Sequence, residues 1–296
     1  MQGSFSRLHP FVSFLYFALV ISFSLMLTHP LAQIIALFCA IIYAIKINNK
    51  QSIGFLLKLC LPTVLLAALI NPIFNHRGAT ILLYFSNGNP LTLESIVYGL
   101  FMGVMLVTII FWFSSFSKIM TTDKFIYLFG KIIPSLSLIL SMSLRLLPNF
   151  KRQMQSIAES RKAMGKDIAN GNIINKIKNA VSIFSIMISW AFENSIDTAD
   201  SMKSRGYGVK KRTAFSIYHF YKQDKFVLIF LCMCAFVLFY GIFKGVFSFS
   251  YFPSVSFTPI NKSTIPFYIV YFLVCITPII IDLRKEILWK TLVSKI

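Results

Sequence analysis

The sharpest chemical question in this chain is posed by Arg205, in the run ADSMKSRGYG at the end of a long polar island between apolar blocks. A guanidinium presents a planar fork of donors that can bond carboxylates or backbone carbonyls of another protein across an interface. Between Ser204 and Gly206 the same residue also suits a plainer role. Glycine favours the left-handed conformation that ends a helix, and a cation complements the negative end of the helix dipole by about 0.3–1 kcal/mol. Both readings stand. Capping alone does not explain why so apolar a chain keeps the amphipathic stretch 149–212 between its spans, and an interface anchor does.

Elsewhere, no residue set has the spacing of a catalytic or metal site. The four histidines (His9, His29, His76, His219) are scattered at the ends of apolar runs or in loops. The five cysteines (Cys39, Cys60, Cys232, Cys234, Cys275) lie inside apolar runs and read as buried free thiols. There is no GxxxxGK[ST] phosphate loop, no HExxH and no GxSxG, so a non-enzymatic chain without cofactor or metal is expected. Any nucleotide hydrolysis then belongs to a partner. Charged groups inside the apolar runs are also scarce, which argues against a proton- or ion-coupled carrier.

The elements that must position Arg205 follow from composition. With 56% hydrophobic residues, 13% charged residues and 31 Phe in 296 positions, and a mean hydropathy of +0.73, the chain holds more apolar side chain than a soluble domain of its length can bury. It reads as an all-α, polytopic membrane protein. A spanning helix needs about 17–25 mostly apolar residues, and six stretches qualify: 11–27, 31–47, 53–74, 95–116, 226–243 and 266–281. The first reads as a span rather than a cleaved signal, and Pro62 is expected to kink the third. The stretch 132–147 carries Pro134 and ends at Arg145 and Pro148, so a half-inserted helix is expected there.

Orientation follows from the basic residues, which favour short cytoplasmic loops. The segment 118–225 holds 18 of the 29 Lys and Arg residues, and Arg284, Lys285, Lys290 and Lys295 form a basic C-terminal tail. The loops at 28–30, 75–94 and 245–265 carry only Arg77 and Lys262. Both termini and the island are therefore expected in the cytoplasm, with the chain in the cell membrane. The net charge of +19 is largely this orientation signal plus attraction to anionic headgroups, and no nucleic-acid partner is needed.

Within the island, NFKRQMQSIAESRKAMGK places Phe150, Met154, Ile157, Ala158 and Met164 broadly along one side of a helix that should stop at Gly165, with a turn at IANGN. A second helix is expected over 173–205. Its first half is apolar on most sides, with Ile177, Val181, Phe184, Ile188, Trp190 and Phe192. Its second half is polar, with Glu193, Asn194, Asp197, Asp200 and Lys203.

These residues resemble those of the transmembrane T component of energy-coupling-factor (ECF) transporters, which belong to the ATP-binding-cassette (ABC) importers. The resemblance runs from the HPF start (His9, Pro10, Phe11) through SLRLLPNFKRQ to ADSMKSRGYGVKKR. It implies an apolar bundle followed by cytoplasmic coupling helices, whose tips carry two motifs of small residue, Arg, small residue that dock into grooves on two ABC ATPase subunits. The second motif is intact as Ser204, Arg205 and Gly206, with Tyr207 following and Asp200 and Met202 upstream in the coupling helix. The first aligns with Ala163, Met164 and Gly165 and lacks its Arg. Either Arg161 or Lys162 substitutes for it, or Met164 fills the groove as an apolar knob, the reading favoured because Met adapts to irregular surfaces. The resemblance further implies a substrate-binding integral membrane partner and vitamin or transition-metal uptake.

Two alternatives are weaker. A conventional ABC permease offers its ATPase a motif EAAxxxG followed by IxLP; Glu159 and Gly165 have the first spacing, but no IxLP follows. A membrane enzyme or secondary carrier with a regulatory island lacks any catalytic constellation. The expected organisation is 1–131 as a bundle of four spans, 132–212 as the half-inserted helix and coupling helices, and 213–296 as two further spans with the basic tail.

Overall fold

Two His-Pro pairs start the first two long helices. His9 and His29 sit at the N-caps of α1 (Pro10–Met26) and α2 (Pro30–Ile47), where each Nδ1 accepts a hydrogen bond from the backbone N–H two residues on, Phe11 at 3.2 Å and Leu31 at 3.3 Å. Proline follows at the first helical position, where its missing N–H costs nothing. The computed structural model describes residues 4–48, 50–84, 88–130, 134–165, 173–209, 218–253, 256–257, 259 and 261–293. Among these, nine α-helices and two short antiparallel hairpins follow an opening 3₁₀ turn (Ser4–Arg7). The remaining helices are α3 (Lys50–Phe74), α4 (Leu93–Ile119), α5 (Thr122–Gly130), α6 (Pro134–Ala163), α7 (Ile173–Ser204), α8 (Lys222–Phe243) and α9 (Ile265–Val293). The hairpins pair β1 (Ile81–Tyr84) with β2 (Pro90–Thr92) and β3 (Phe249–Ser250) with β4 (Ser256–Phe257).

The fold is that of a polytopic, nearly all-helical membrane protein. Among the described residues, five helices are long and apolar enough to cross a bilayer: α2, Leu56–Phe74 of α3, α4, α8 and Ile265–Trp289 of α9. The shorter apolar α1 has 17 residues, at the lower limit of a span.

The chain divides into two compact units, one formed by Met1–Phe125 with Tyr218–Ile296 and the other by Ile126–Ile217. In hydrocarbon there is no hydrophobic drive between helices, so the first unit must hold together by close packing and internal hydrogen bonds. Gly99 and Gly103 of α4 supply the close packing. A Cβ on either would sit 2.8 Å from the α3 backbone, at the Ala67 carbonyl oxygen and the Val64 Cα respectively. Elsewhere in this unit Phe5, Tyr16, Phe17, Tyr43, Trp112 and Tyr271 are fully buried. The Phe5 and Tyr16 rings meet edge to face at 5.2 Å, an arrangement worth about 0.5–1.5 kcal/mol beyond area burial. The hydrogen bonds cross between helices: the Tyr16 hydroxyl donates to the Cys275 carbonyl at 3.1 Å, and Ser24 and Tyr271 share one at 3.2 Å.

The N-terminal turn is clasped by charges from the opposite end of the sequence. Asp282 accepts from the Phe5 N–H at 2.6 Å, and Asp224 accepts from those of His9 at 3.1 Å and Tyr221 at 2.9 Å. The Lys124 ammonium donates to the Ile119 and Ser6 carbonyls, and its burial pushes its pKa below the ordinary range.

One sequence expectation changes. The stretch 132–147 and the amphipathic helix after it are one helix, α6, which runs through Pro148. A proline in a helix interior removes one hydrogen bond, here to the Leu144 carbonyl, at a cost of about 3 kcal/mol. That weakens one turn without ending a helix continued by long runs on both sides. The basic tail is helical as far as Val293, because α9 continues through Pro278 and carries Arg284 and Lys285 on its last turns. Helix α5 and both hairpins had no periodic signal strong enough to announce them. Residues 132–133, the IANGN turn, the expected boundary at 212/213 and Lys295 lie outside the described residues.

Candidate docking tips

Helices α6 and α7 form the second unit. Phe150 meets Trp190 edge-on at 5.3 Å, and farther along α6 the Arg161 guanidinium donates to the Ser182 hydroxyl. The partner numbers fall on α7 as they rise on α6, so the two helices run antiparallel. On α7 the covered residues Ile183, Met187, Trp190 and Asn194 recur at three- and four-residue steps, one face of a helix, with Ser182 beside the first of them. Because the helices are antiparallel, their C-terminal tips lie at opposite ends of the pair. At 1.5 Å per residue the α6 tip stands about 21 Å from the Phe150–Trp190 contact and the α7 tip about 22 Å. The geometry keeps the two candidate docking tips apart, on arms of nearly equal length.

The α7 tip is a complete Schellman ending. The Gly206 N–H donates to the Lys203 carbonyl at 2.9 Å and the Tyr207 N–H to the Met202 carbonyl at 3.0 Å, the paired reverse bonds that define the motif. Gly206 has φ +81°, the left-handed value that the motif requires. Arg205 therefore occupies the cap itself, exposed, directly after the last helical residue, Ser204. Ser204 donates to the Ser201 carbonyl at 2.9 Å, so its hydroxyl serves the helix end. Met202 is half-buried, while Asp200 and Tyr207 are exposed.

The α6 tip has the same start. The Gly165 N–H donates to the Lys162 carbonyl at 3.0 Å, and Gly165 has φ +73°. Met164 thus holds the position that Arg205 holds on α7. Its side chain is 67% exposed, which makes an apolar group the most prominent feature of that tip. Ala163 beside it is exposed, and so is Lys162. Arg161 is half-buried and spent on Ser182, so the guanidinium nearest this tip faces α7 and not solvent.

Similarity to known proteins fixes the family. Residues 3–216 match the profile of the family described as CbiQ, cobalt transport protein, a range that contains both tips. The energy-coupling factor transporter transmembrane protein EcfT of Staphylococcus aureus (strain 04-02981) is 27% identical over 222 residues, covering 71% of this chain and 82% of that protein. The protein of the same name from Listeria innocua is 28% identical over 222 residues, 69% of this chain and 82% of its own length. EcfT 1 of Listeria monocytogenes is 28% identical over 174 residues, with 54% of this chain and 64% of that protein, a little under two thirds, covered. The chain belongs to the CbiQ family. It is the transmembrane T component of an energy-coupling-factor transporter, a multi-pass membrane protein, and its relatives bear the names of transporter components rather than of enzymes.

In this T component the sequence reading placed Phe150 and Trp190 on apolar faces without seeing that they meet, and left Ser182 unmentioned. The signal was present as the 183, 187, 190, 194 spacing, set within a helix apolar on several sides. A second stripe of α7 is left without cover. Ile177, Val181, Phe184, Ile188, Phe192 and Ile196, again at three- and four-residue steps, are 41% to 68% exposed. A helix in water does not keep so long an apolar face open, so lipid or another protein belongs against it.

Proposed function

We propose that the T component couples two cytoplasmic ABC ATPase subunits to a separate substrate-binding membrane protein, driving import of a vitamin or a transition-metal ion. The carrying observation is Arg205, held exposed at the cap of a 32-residue helix by two reverse hydrogen bonds and a left-handed glycine. A guanidinium fixed at a rigid tip loses little freedom when a carboxylate or carbonyl groove receives it. Ser204, Arg205 and Gly206 form one docking tip and Ala163, Met164 and Gly165 the other, the latter docking through an apolar knob; Arg161 supports that tip from behind. Asp200, Met202 and Tyr207 frame the α7 tip. Both termini and both tips face the cytoplasm, and ATP hydrolysis resides in the ATPases.

The antiparallel pair supports a scissor-like transmission. When two ATPases close on ATP, forces on tips at opposite ends of α6 and α7 act as a torque about the Phe150–Trp190 contact. The exposed apolar stripe of α7 then carries the movement to the substrate-binding partner. The test is co-purification in detergent. The wild-type chain retains two ATPase subunits, and Arg205→Glu loses them along with transport in vesicles. Intact assembly and transport by Arg205→Glu would overturn the reading.

A further inference from the structure

At the end of the bundle that carries both hairpins lies an open cavity of about 510 Å³, formed within the first unit by α1, α4 and the two hairpin loops. Its polarity changes with depth. Arg77 and Asn75 line the mouth, where Arg77 is exposed and no carboxylate among the described residues pairs with it. One wall is aromatic: Tyr98 stands edge-on to Tyr251 at 5.2 Å and to Phe252 at 5.4 Å. Leu25, Phe101, Met102 and Met105 add apolar lining, and Thr28 and Ser250 add two hydroxyls. On α4 the lining runs from Tyr98 to Met105, about 10 Å along the helix axis and away from the end that carries Arg77.

The neighbouring hairpin shows what medium surrounds this mouth. Alternate residues of a strand point to opposite faces, yet Ile81, Leu82, Leu83 and Tyr84 of β1 are all large, apolar and exposed. The stretch 78–93 has no charged residue, and Arg77 and Glu94 stand at its base. A strand apolar on both faces has no side suited to water and matches the lipid interface instead. The hairpin base is tied to the cavity wall, since the Ala79 N–H donates to the Pro253 carbonyl at 3.0 Å and Thr92 Oγ1 donates to the Arg77 carbonyl at 2.9 Å.

We infer that this cavity is a binding site for an anionic phospholipid, with the phosphate at Arg77 and an acyl chain against Leu25, Met102 and Met105. A cation and an amide at the mouth, tyrosines below them and thioethers deeper reproduce the order of headgroup, interface and hydrocarbon in a lipid. Free phosphate shares the headgroup chemistry but makes no use of the apolar depth.

Native mass spectrometry of the full-length chain in a non-ionic detergent tests the assignment with phosphatidylglycerol, phosphatidylcholine of the same acyl chains, and inorganic phosphate as probes. The wild-type chain is expected to retain one phosphatidylglycerol at about fivefold lower lipid concentration than phosphatidylcholine, the ratio that one Arg near an anionic headgroup supplies. Arg77→Gln, at an exposed position, removes that preference, and Met102→Trp, which fills the apolar part, weakens retention of both lipids. Circular dichroism melting confirms that each variant is folded; if Met102→Trp is not, Leu25→Ser is read in its place. An undiminished preference in Arg77→Gln overturns the assignment. Displacement of the lipid by millimolar phosphate also overturns it, in favour of a free-anion site.

Discussion

The tips of α6 and α7 turn on a similar backbone and differ in side chain at two positions, Ala163 against Ser204 and Met164 against Arg205. Each ends with a reverse bond from a glycine N–H to the carbonyl three residues back, at 3.0 Å for Gly165 and 2.9 Å for Gly206, and each glycine is left-handed, at φ +73° and +81°. At the cap position between helix and glycine, one tip presents Met164 and the other Arg205. Under the proposed docking, similar scaffolds carrying unlike groups would let the tip geometry serve both contacts while the side chain sets the partner's chemistry. The α6 tip keeps the shape of an Arg-bearing tip without an Arg at its cap, and Arg161, one turn back, is bound to Ser182.

The largest expected contrast is at the cap residues. If the guanidinium becomes buried and hydrogen-bonded in its groove, Arg205→Ala should weaken ATPase association by about 2–5 kcal/mol, tens- to thousands-fold in affinity. Met164→Ala should weaken it by about 2 kcal/mol, the burial energy of one thioether side chain. Salt separates the two further: raising ionic strength should loosen the interface of the Met164→Ala protein, which still depends on Arg205, more than that of Arg205→Ala. Titration of the purified chain with ATPase at low and high salt measures both. Equal salt dependence in the two variants breaks the comparison. Met164→Arg sharpens it: an apolar groove rejects the new cation, and tighter binding would instead reveal an acidic groove.

A smaller and symmetrical effect belongs to the glycines. A Cβ built at Gly165 or at Gly206 meets nothing within 4 Å, so Gly165→Ala and Gly206→Ala introduce backbone strain without a clash. A left-handed alanine costs about 1 kcal/mol, and hydrogen exchange should show the last turn of each helix frayed to the same degree. Unequal fraying would mean that the tips are not equivalent scaffolds.

These contrasts also show what the sequence could disclose. The left-handed glycine after each helix was legible because glycine in αL avoids the steric cost every other residue meets there, and the spans were legible because a bilayer fixes their length. Pro148 misled, since its local cost is independent of the packing on either side that α6 uses to outlast it. The state of Arg161 was not legible, because Ser182 is twenty-one positions away and nothing in a single helix's periodicity says which polar residue of a neighbour will face it. The equivalence of Met164 and Arg205 was visible only as an alignment of motifs, and the φ values and reverse bonds give it a physical basis.

The weakest predicted effect tests whether Arg161 serves the scaffold or the interface. Its bond to Ser182 links the α6 arm to α7 about one turn behind the Met164 tip, in a half-buried setting where a hydrogen bond contributes about 0.5–1.5 kcal/mol. A double-mutant cycle on unfolding with Arg161→Met, which keeps most of the apolar stem, and Ser182→Ala should give a coupling energy of about 0.5 kcal/mol. The same cycle read on ATPase affinity should give none beyond that, because removing Ser182 frees the guanidinium without moving Met164 from the cap. If Ser182→Ala instead tightens ATPase binding in an Arg161-dependent manner, the freed guanidinium has reached the groove. The α6 tip would then be a masked version of the α7 tip, with its Arg held in reserve one turn back, and the contrast between an apolar and a cationic tip would become one between two cationic tips in different states.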